Sequence, residues 1–329
     1  MKERVVSGIR PTGRLHWGHY FGIMQDRLRL QKDYECFFFI ADWHALTSEY
    51  ANSEIIKPSV IDIIADLLAV GFNPEDSVLF IQSCVPEHAE LHVLLSMTTP
   101  LGWLERVPSY KDMQQNLKDK DLSNYGFLGY PVLQTADIVM YKATKVPVGE
   151  DQVAHVELCR EIVRRFNHLM KQEVFVEPQP ILTKHSRIPG IDGRKMSKSF
   201  NNAIYIADDD ETIRKKMMQA ITDPARKLKN DPGHPEVCNI FSYHKLFTDN
   251  KKVGEIEKEC RAGIIGCVDC KKICIQNAID FWTPIRNERI KWIKEPEKIL
   301  AVVKEGAEKA RKEAVKTMKV VRKAVGIEY

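Results

Sequence analysis

"RVVSGIRPTGRLHWGHYFG", Arg4 to Gly22, decides how the chain is built. Arg4–Ile9 is a short β-branched run and "RPTG" is a turn. From Arg14 onward the apolar residues keep helical spacing. A strand feeding a helix through a tight turn opens an α/β unit. The same alternation continues outward. "ECFFFIADWH" (Glu35–His44) is a continuous apolar run, as a strand buried on both faces requires. "SEIIKPSVIDIIADLLAVG" is a helix closed by Gly71, and "SVLFIQS" is a third buried strand. "EHAELHVLLSM" and "PVLQTADIVMYKA" read as helices, and "KVPVGEDQ" (Lys145–Gln152) as a short strand ending in polar residues. The pattern predicts an α/β fold: a doubly wound parallel sheet of Rossmann-like form. Ligands in such sheets sit at the carboxyl ends of the strands. The loops after Ile9, Ile40, Gln82 and Val148 are therefore expected to meet at one site.

From Ile188 the texture changes. "IPGIDGRKMSKSFNN" has no hydrophobic period and reads as a mobile loop. "DDDETIRKKMMQAI" follows as a helix with acidic residues at its positive end. The rest is helical. Two domains are expected: residues 1–200, a nucleotide-binding catalytic domain, and residues 201–329, a smaller all-helical domain whose last helix packs back on the first.

At 329 residues, 44% hydrophobic and 29% charged, the chain can bury a real core. No apolar run reaches the ~20 residues of a membrane helix. "IIADLLAVGF" comes nearest and contains Asp66. The charged, strand-like start is not that of a signal peptide. No membrane partner and a cytoplasmic location are expected, where thiols stay reduced. Eight cysteines are then no disulfide framework. Cys36, Cys84 and Cys159 stand singly in apolar patterns and read as core fillers. The other five fall between Cys238 and Cys274, and such clustering favours a metal. Net charge is only +4, but from Thr283 to the end 13 Lys/Arg stand against 7 Asp/Glu. That surplus suits a phosphate-rich partner or a solvated helix face.

Two stretches carry chemistry. Pro11–Gly22 follows the first strand and opens a helix, whose N-terminus offers N–H groups to an anion. Gly18 lets a base or sugar approach the backbone. His16 and His19 share one helical face, and both can donate to phosphate oxygens. In "GRKMSKS", Lys195 and Lys198 flank Ser197. Two cations closing over a triphosphate neutralise charge on a pyrophosphate leaving group. No Ser/His/Asp or Cys/His triad is evident, which fits a reaction whose substrate supplies the nucleophile.

The order H-x-G-H, then K-M-S-K-S after the sheet, resembles the class I aminoacyl-tRNA synthetases. "SGIRPTGRLHWGHYFG", "ADWHALT", "YPVLQTADI", "VPVGEDQ", "KMSKS" and "ITDP" are together similar to their tryptophanyl branch. The resemblance covers nearly the whole chain. It implies that L-tryptophan is activated with ATP and Mg²⁺ to the adenylate and then transferred to tRNA(Trp). It implies ATP contacts from Arg10, Pro11, Thr12, Gly18 and His19, from Gly149, Glu150 and Asp151, from Ile188, and from Lys195, Met196, Ser197, Lys198 and Ser199. His16, His19, Lys195 and Lys198 are the implied catalytic residues. Asp137 matches the acceptor of the indole N–H; an ionised carboxylate only accepts and an indole only donates. Tyr130 and Gln152 match residues around the substrate amino group, and Gln134 lines the pocket wall. Many members carry Gln at the position of Arg10 and Met at that of Gln134. A homodimer is implied as well. The competing readings are a tyrosyl-type synthetase, another nucleotidyltransferase with an H-x-G-H loop, and a catalytically dead RNA-binding or redox-sensing relative.

The thiols offer two sets of four. One is local: Cys260, Cys267, Cys270 and Cys274. The other takes Cys238 in place of Cys274, giving C-x21-C-x6-C-x2-C. A subset of the tryptophanyl enzymes carries a [4Fe–4S] cluster on nearly this spacing, with a first gap one residue longer. The resemblance thus implies a cluster on Cys238, Cys260, Cys267 and Cys270, with zinc as the alternative.

Overall fold

The computed structural model describes residues 2–107, 122–182 and 188–329. Five parallel strands form one sheet in the order β3-β2-β1-β4-β5. They are β1 (Arg4–Ile9), β2 (Glu35–Ile40), β3 (Val78–Ile81), β4 (Lys145–Val148) and β5 (Gln179–Leu182). β1 and β2 pair from Arg4↔Glu35 to Ile9↔Ile40. Side chains alternate across the sheet. Val5, Cys36, Phe38 and Leu79 enter one buried cluster, while Val6, Phe37, Phe39 and Phe80 enter the other. Both faces are covered, which is why the inner strands read as unbroken apolar runs.

Three expectations needed correction. β5 is an additional strand; "QPIL" is short, contains Pro180 and is only half buried, as an edge strand tolerates. The single helix expected after the first turn is broken. A three-residue helix (Trp17–His19) passes through a π-helical turn (Tyr20–Met24) into Gln25–Asp33. Cys84 is exposed, so it fills no core, whereas Cys36 and Cys159 are buried.

Beyond the lysine-rich loop the chain is helical: Asp210–Gln219, Asn239–Phe247, Asn250–Arg261, Cys267–Lys294 and Pro296–Ala324. Asp209 caps the first of these, its carboxylate accepting from the Thr212 N–H. Trp282, on the Cys267–Lys294 helix, stacks on Trp17 with ring centroids 5.8 Å apart. On the same helix Arg289 donates to Asp66 at 2.6 Å. The last helix runs back to the sheet and crosses its β3 edge. Ile299 and Val303 join one buried cluster, and Ala307, Ala310 and Ala314 the other. The crossing needs Gly306, where an added Cβ would lie 1.8 Å from the Leu79 carbonyl oxygen. Arg311–Glu87 and Arg322–Glu90 ion pairs hold this helix to Glu87–Ser96.

Candidate active site

At the end of β1 the two histidines face each other, ring centroids 3.7 Å apart. The His16 backbone N–H donates to His19 Nδ1 at 3.1 Å, which leaves Nε2 of His19 as its N–H. Burial, then the charges of Lys198 and Lys195, lower the His16 pKa to about 4. Burial holds His19 well below the usual histidine range. Both rings are neutral at neutral pH and each keeps one N–H to offer. Gly18 lies against His16 and Met196; an added Cβ would stand 3.0 Å from the His16 ring.

Lys198 reaches across to this loop. Its Nζ donates to the carbonyls of Thr12 and Gly13 at 3.1 and 2.8 Å. Burial lowers its pKa to about 8. Lys195 is exposed, Met196 is buried, and the Met196 N–H donates to the Ile188 carbonyl at 3.1 Å. Asn202, 1% exposed, staples the loop from within. Its Oδ1 accepts from the Ser197 N–H at 2.8 Å, and its Nδ2 donates to Asp192 and to the Lys195 carbonyl. Two donors from the Asn239–Phe247 helix hold the loop from outside: Asn239 to the Gly190 carbonyl and the Tyr243 hydroxyl to the Pro189 carbonyl, each at 2.8 Å.

The other end of the cleft is built around Asp137, which is 1% exposed. A surface role for it is thereby removed. His44, in the first turn of the helix Asp42–Glu49 that follows β2, meets Oδ2 at 2.8 Å. His88 Nδ1 meets Oδ1 at 2.6 Å. Gln82, at the end of β3, donates to both oxygens at 2.7 and 2.9 Å. Burial opposes the charge, but the hydrogen bonds from His44 and His88 outweigh it and hold the carboxyl below its usual range. Gln134 sits half buried on the same helix, Tyr125–Met140. Nearby, the Tyr130 hydroxyl lies 3.3 Å from His155 Nε2. Arg10 is turned towards Ser48, donating at 2.6 Å, and burial lowers its pKa. Gly149 to Gln152 follow β4, with Gln152 donating to Asp151 at 3.1 Å; Glu150 and Asp151 are exposed. β1, β2 and β3 thus carry Arg10, His44 and Gln82 just beyond their carboxyl ends.

The sequence reading missed His44, Gln82, His88, Asn202, Asn239 and Tyr243. His44 and Gln82 carried a signal, because each ends a buried run at a strand's carboxyl end. The others carried none.

The thiols divide cleanly. Cys238, Cys260, Cys267 and Cys270 line one cavity with Thr222, Asp223 and Arg226. Burial and the other three thiols push Cys270 up to about 12. Cys274 is fully buried in the main core, with its Sγ 3.7 Å from the Ile240 carbonyl. Among the described residues no group of three or more His, Cys, Asp and Glu is arranged to hold a metal ion.

The family model described as "tRNA synthetases class I (W and Y)" matches residues 2–283. The chain belongs to this family. Among full-length synthetases, the tryptophan--tRNA ligase of Thermotoga maritima is 46% identical, covering 99% of this chain and 100% of its own length. That of Aquifex aeolicus is 44% identical, covering 98% and 100%. A crystal structure of the Campylobacter jejuni tryptophanyl-tRNA synthetase, complexed with ADP and tryptophan, has a TM-score of 0.89 at 34% identity. It covers 98% of this chain and 99% of that one.

Proposed function

We infer that the cleft carries out tryptophan activation and transfer. The chain is an ATP-dependent tryptophan--tRNA ligase. The tryptophan carboxylate attacks the α-phosphorus of ATP and expels pyrophosphate. The adenylate then passes its acyl group to the 3′ end of tRNA(Trp). The observation that supports this reading is Lys198 seated on the carbonyls of Thr12 and Gly13, which brings the two motifs together as a shared phosphate site would require.

In this reading Arg10, Pro11, Thr12, Gly18 and His19 hold ATP together with Gly149–Asp151, Ile188 and Lys195–Ser199. His16 and His19 donate as neutral imidazoles. Lys195 and Lys198 neutralise the leaving pyrophosphate beside Mg²⁺. Asp137 accepts the indole N–H, Tyr130 and Gln152 face the amino group, and Gln134 forms the pocket wall. Amino-acid-dependent ATP–pyrophosphate exchange across the twenty amino acids tests the reading; exchange with tryptophan alone is expected. Exchange with tyrosine would favour the tyrosyl-type reading, and none at all the catalytically dead one.

Cys238, Cys260, Cys267 and Cys270 are proposed to hold a [4Fe–4S] cluster. A single zinc needs sulfurs about 2.3 Å from one ion. All four thiols line one cavity, and four cysteine thiolates are also the ligand set of an iron–sulfur cluster. When bound, the cluster would brace the helices of residues 201–329, to which the family resemblance assigns reading of the tRNA anticodon. Anaerobic purification should give close to four irons per chain; zinc at one per chain would favour the alternative. Cys267→Ser is expected to weaken tRNA charging far more than pyrophosphate exchange, and equal loss would remove the tRNA role. A homodimer in the cytoplasm completes the proposal. Exposed Val93, Met97, Leu101 and Tyr125 on neighbouring helices support an interface. No helix of the described residues is long and apolar enough to cross a membrane.

A further inference from the structure

We propose that Gln82, His88 and Tyr141 are positioning residues that set tryptophan selectivity through Asp137. The proposal rests on Asp137 as the acceptor of the ring N–H. An ionised carboxylate has about four acceptor directions. Three residues already address Asp137: His44, His88 and Gln82, the last with one amide nitrogen between the two oxygens. These donors make four contacts, two on each oxygen, but one Gln82 nitrogen is shared between both oxygens, and the direction it shares is the one a donor on the substrate ring takes.

The direction stays fixed because the donors are themselves fixed. Tyr141 Oη lies 2.6 Å from His88 Nε2. An ionised carboxylate can only accept, so His88 Nδ1 carries the hydrogen that points at Asp137. In a neutral ring Nε2 then accepts, and Tyr141 must donate to it. Burial holds the phenol protonated, raising its pKa well above the usual range. Tyr141 is 0% exposed, stacks on Phe37 at 4.5 Å between centroids, and meets Phe80 edge-on at 5.7 Å. The sheet's own aromatic core therefore sets the tautomer of His88, and His88 with Gln82 sets the orientation of the carboxylate. His88 and Gln82 are also 0% exposed, so water does not compete for these bonds. Residues 49 and 55 positions from Asp137 in the chain thus act on a substrate they do not touch.

The test is the ratio of kcat/KM for tryptophan to that for β-(3-benzothienyl)alanine, which has sulfur in place of the ring N–H. It is read by ATP–pyrophosphate exchange on the full chain. Tyr141→Phe leaves His88 Nε2 unpaired and frees its tautomer, and the ratio should fall about three- to tenfold. Gln82→Met, a second variant with similar volume, should lower it at least as much. If both substrates lose activity together and the ratio stays put, these residues are structural only and the proposal is overturned. Asp137→Asn separates the two levels. A collapsed ratio there with an unmoved one in Tyr141→Phe and Gln82→Met rejects the positioning chain alone. An unmoved ratio in Asp137→Asn rejects the reading of Asp137 and the proposal with it.

Discussion

The two ends of the cleft are held in opposite ways. Around Asp137 every donor is a buried side chain belonging to the sheet or to a helix packed on it. Around Lys195 the chain is a loop held by carbonyls, one internal asparagine and two donors from the distant Asn239–Phe247 helix. The first arrangement fixes one direction in space and suits recognition. The second leaves an exposed lysine on a frame joined to two parts of the molecule, and suits a charge that arrives with the substrate.

The largest expected effect is at the exposed cation. Lys195→Ala should slow adenylate formation by ~10²–10³ while the tryptophan KM changes little. A rate within about threefold of the native one removes Lys195 from the mechanism and breaks the contrast. Next comes pH. Lys198, lowered to about 8 by burial, is charged below that pH and neutral above it. kcat/KM for ATP should therefore hold on the acid side and fall towards about tenfold per pH unit on the alkaline side. A flat profile well above 8 would show that its charge is dispensable.

Asn239→Ala removes one outer support of the lysine loop. A rise of about fivefold in the ATP KM is expected, with the tryptophan KM unmoved. Equal effects on both would mean that the two ends are one rigid unit. The smallest effect concerns the thiols. Cys274→Ala should leave iron content unchanged and cost about 1 kcal/mol of stability, as a small buried side chain does. Loss of iron in Cys274→Ala and not in Cys238→Ser would restore the local ligand set.

The inner sheet was legible because strands buried on both faces are written as apolar runs. "ECFFFIADWH" leaves no other reading at that length. β5 was not, since a four-residue edge strand with Pro180 has neither alternation nor hydrophobic density. The π-helical turn at Tyr20–Met24 left no trace either; one extra residue in a turn does not alter composition. In the site, the histidine and lysine motifs were local words and could be read. The convergence of His44, Gln82 and His88 on Asp137 could not, although the first two stood at strand ends. His44 is 93 positions away, and only the folded sheet makes it a neighbour. Asn202 was quoted with the lysine loop, yet nothing in "SFNN" says which asparagine turns inward.

The crossing at Gly306 also bears on what the sheet does with its free side. β3 ends the sheet, and an end strand is a template on which another extended chain can grow. A helix without a side chain at that point lies directly on the Leu79 peptide and bars the approach. The last helix therefore covers the β3 edge against strand addition. A chain cut before Pro296 should keep its cleft residues and yet seed aggregates from β3.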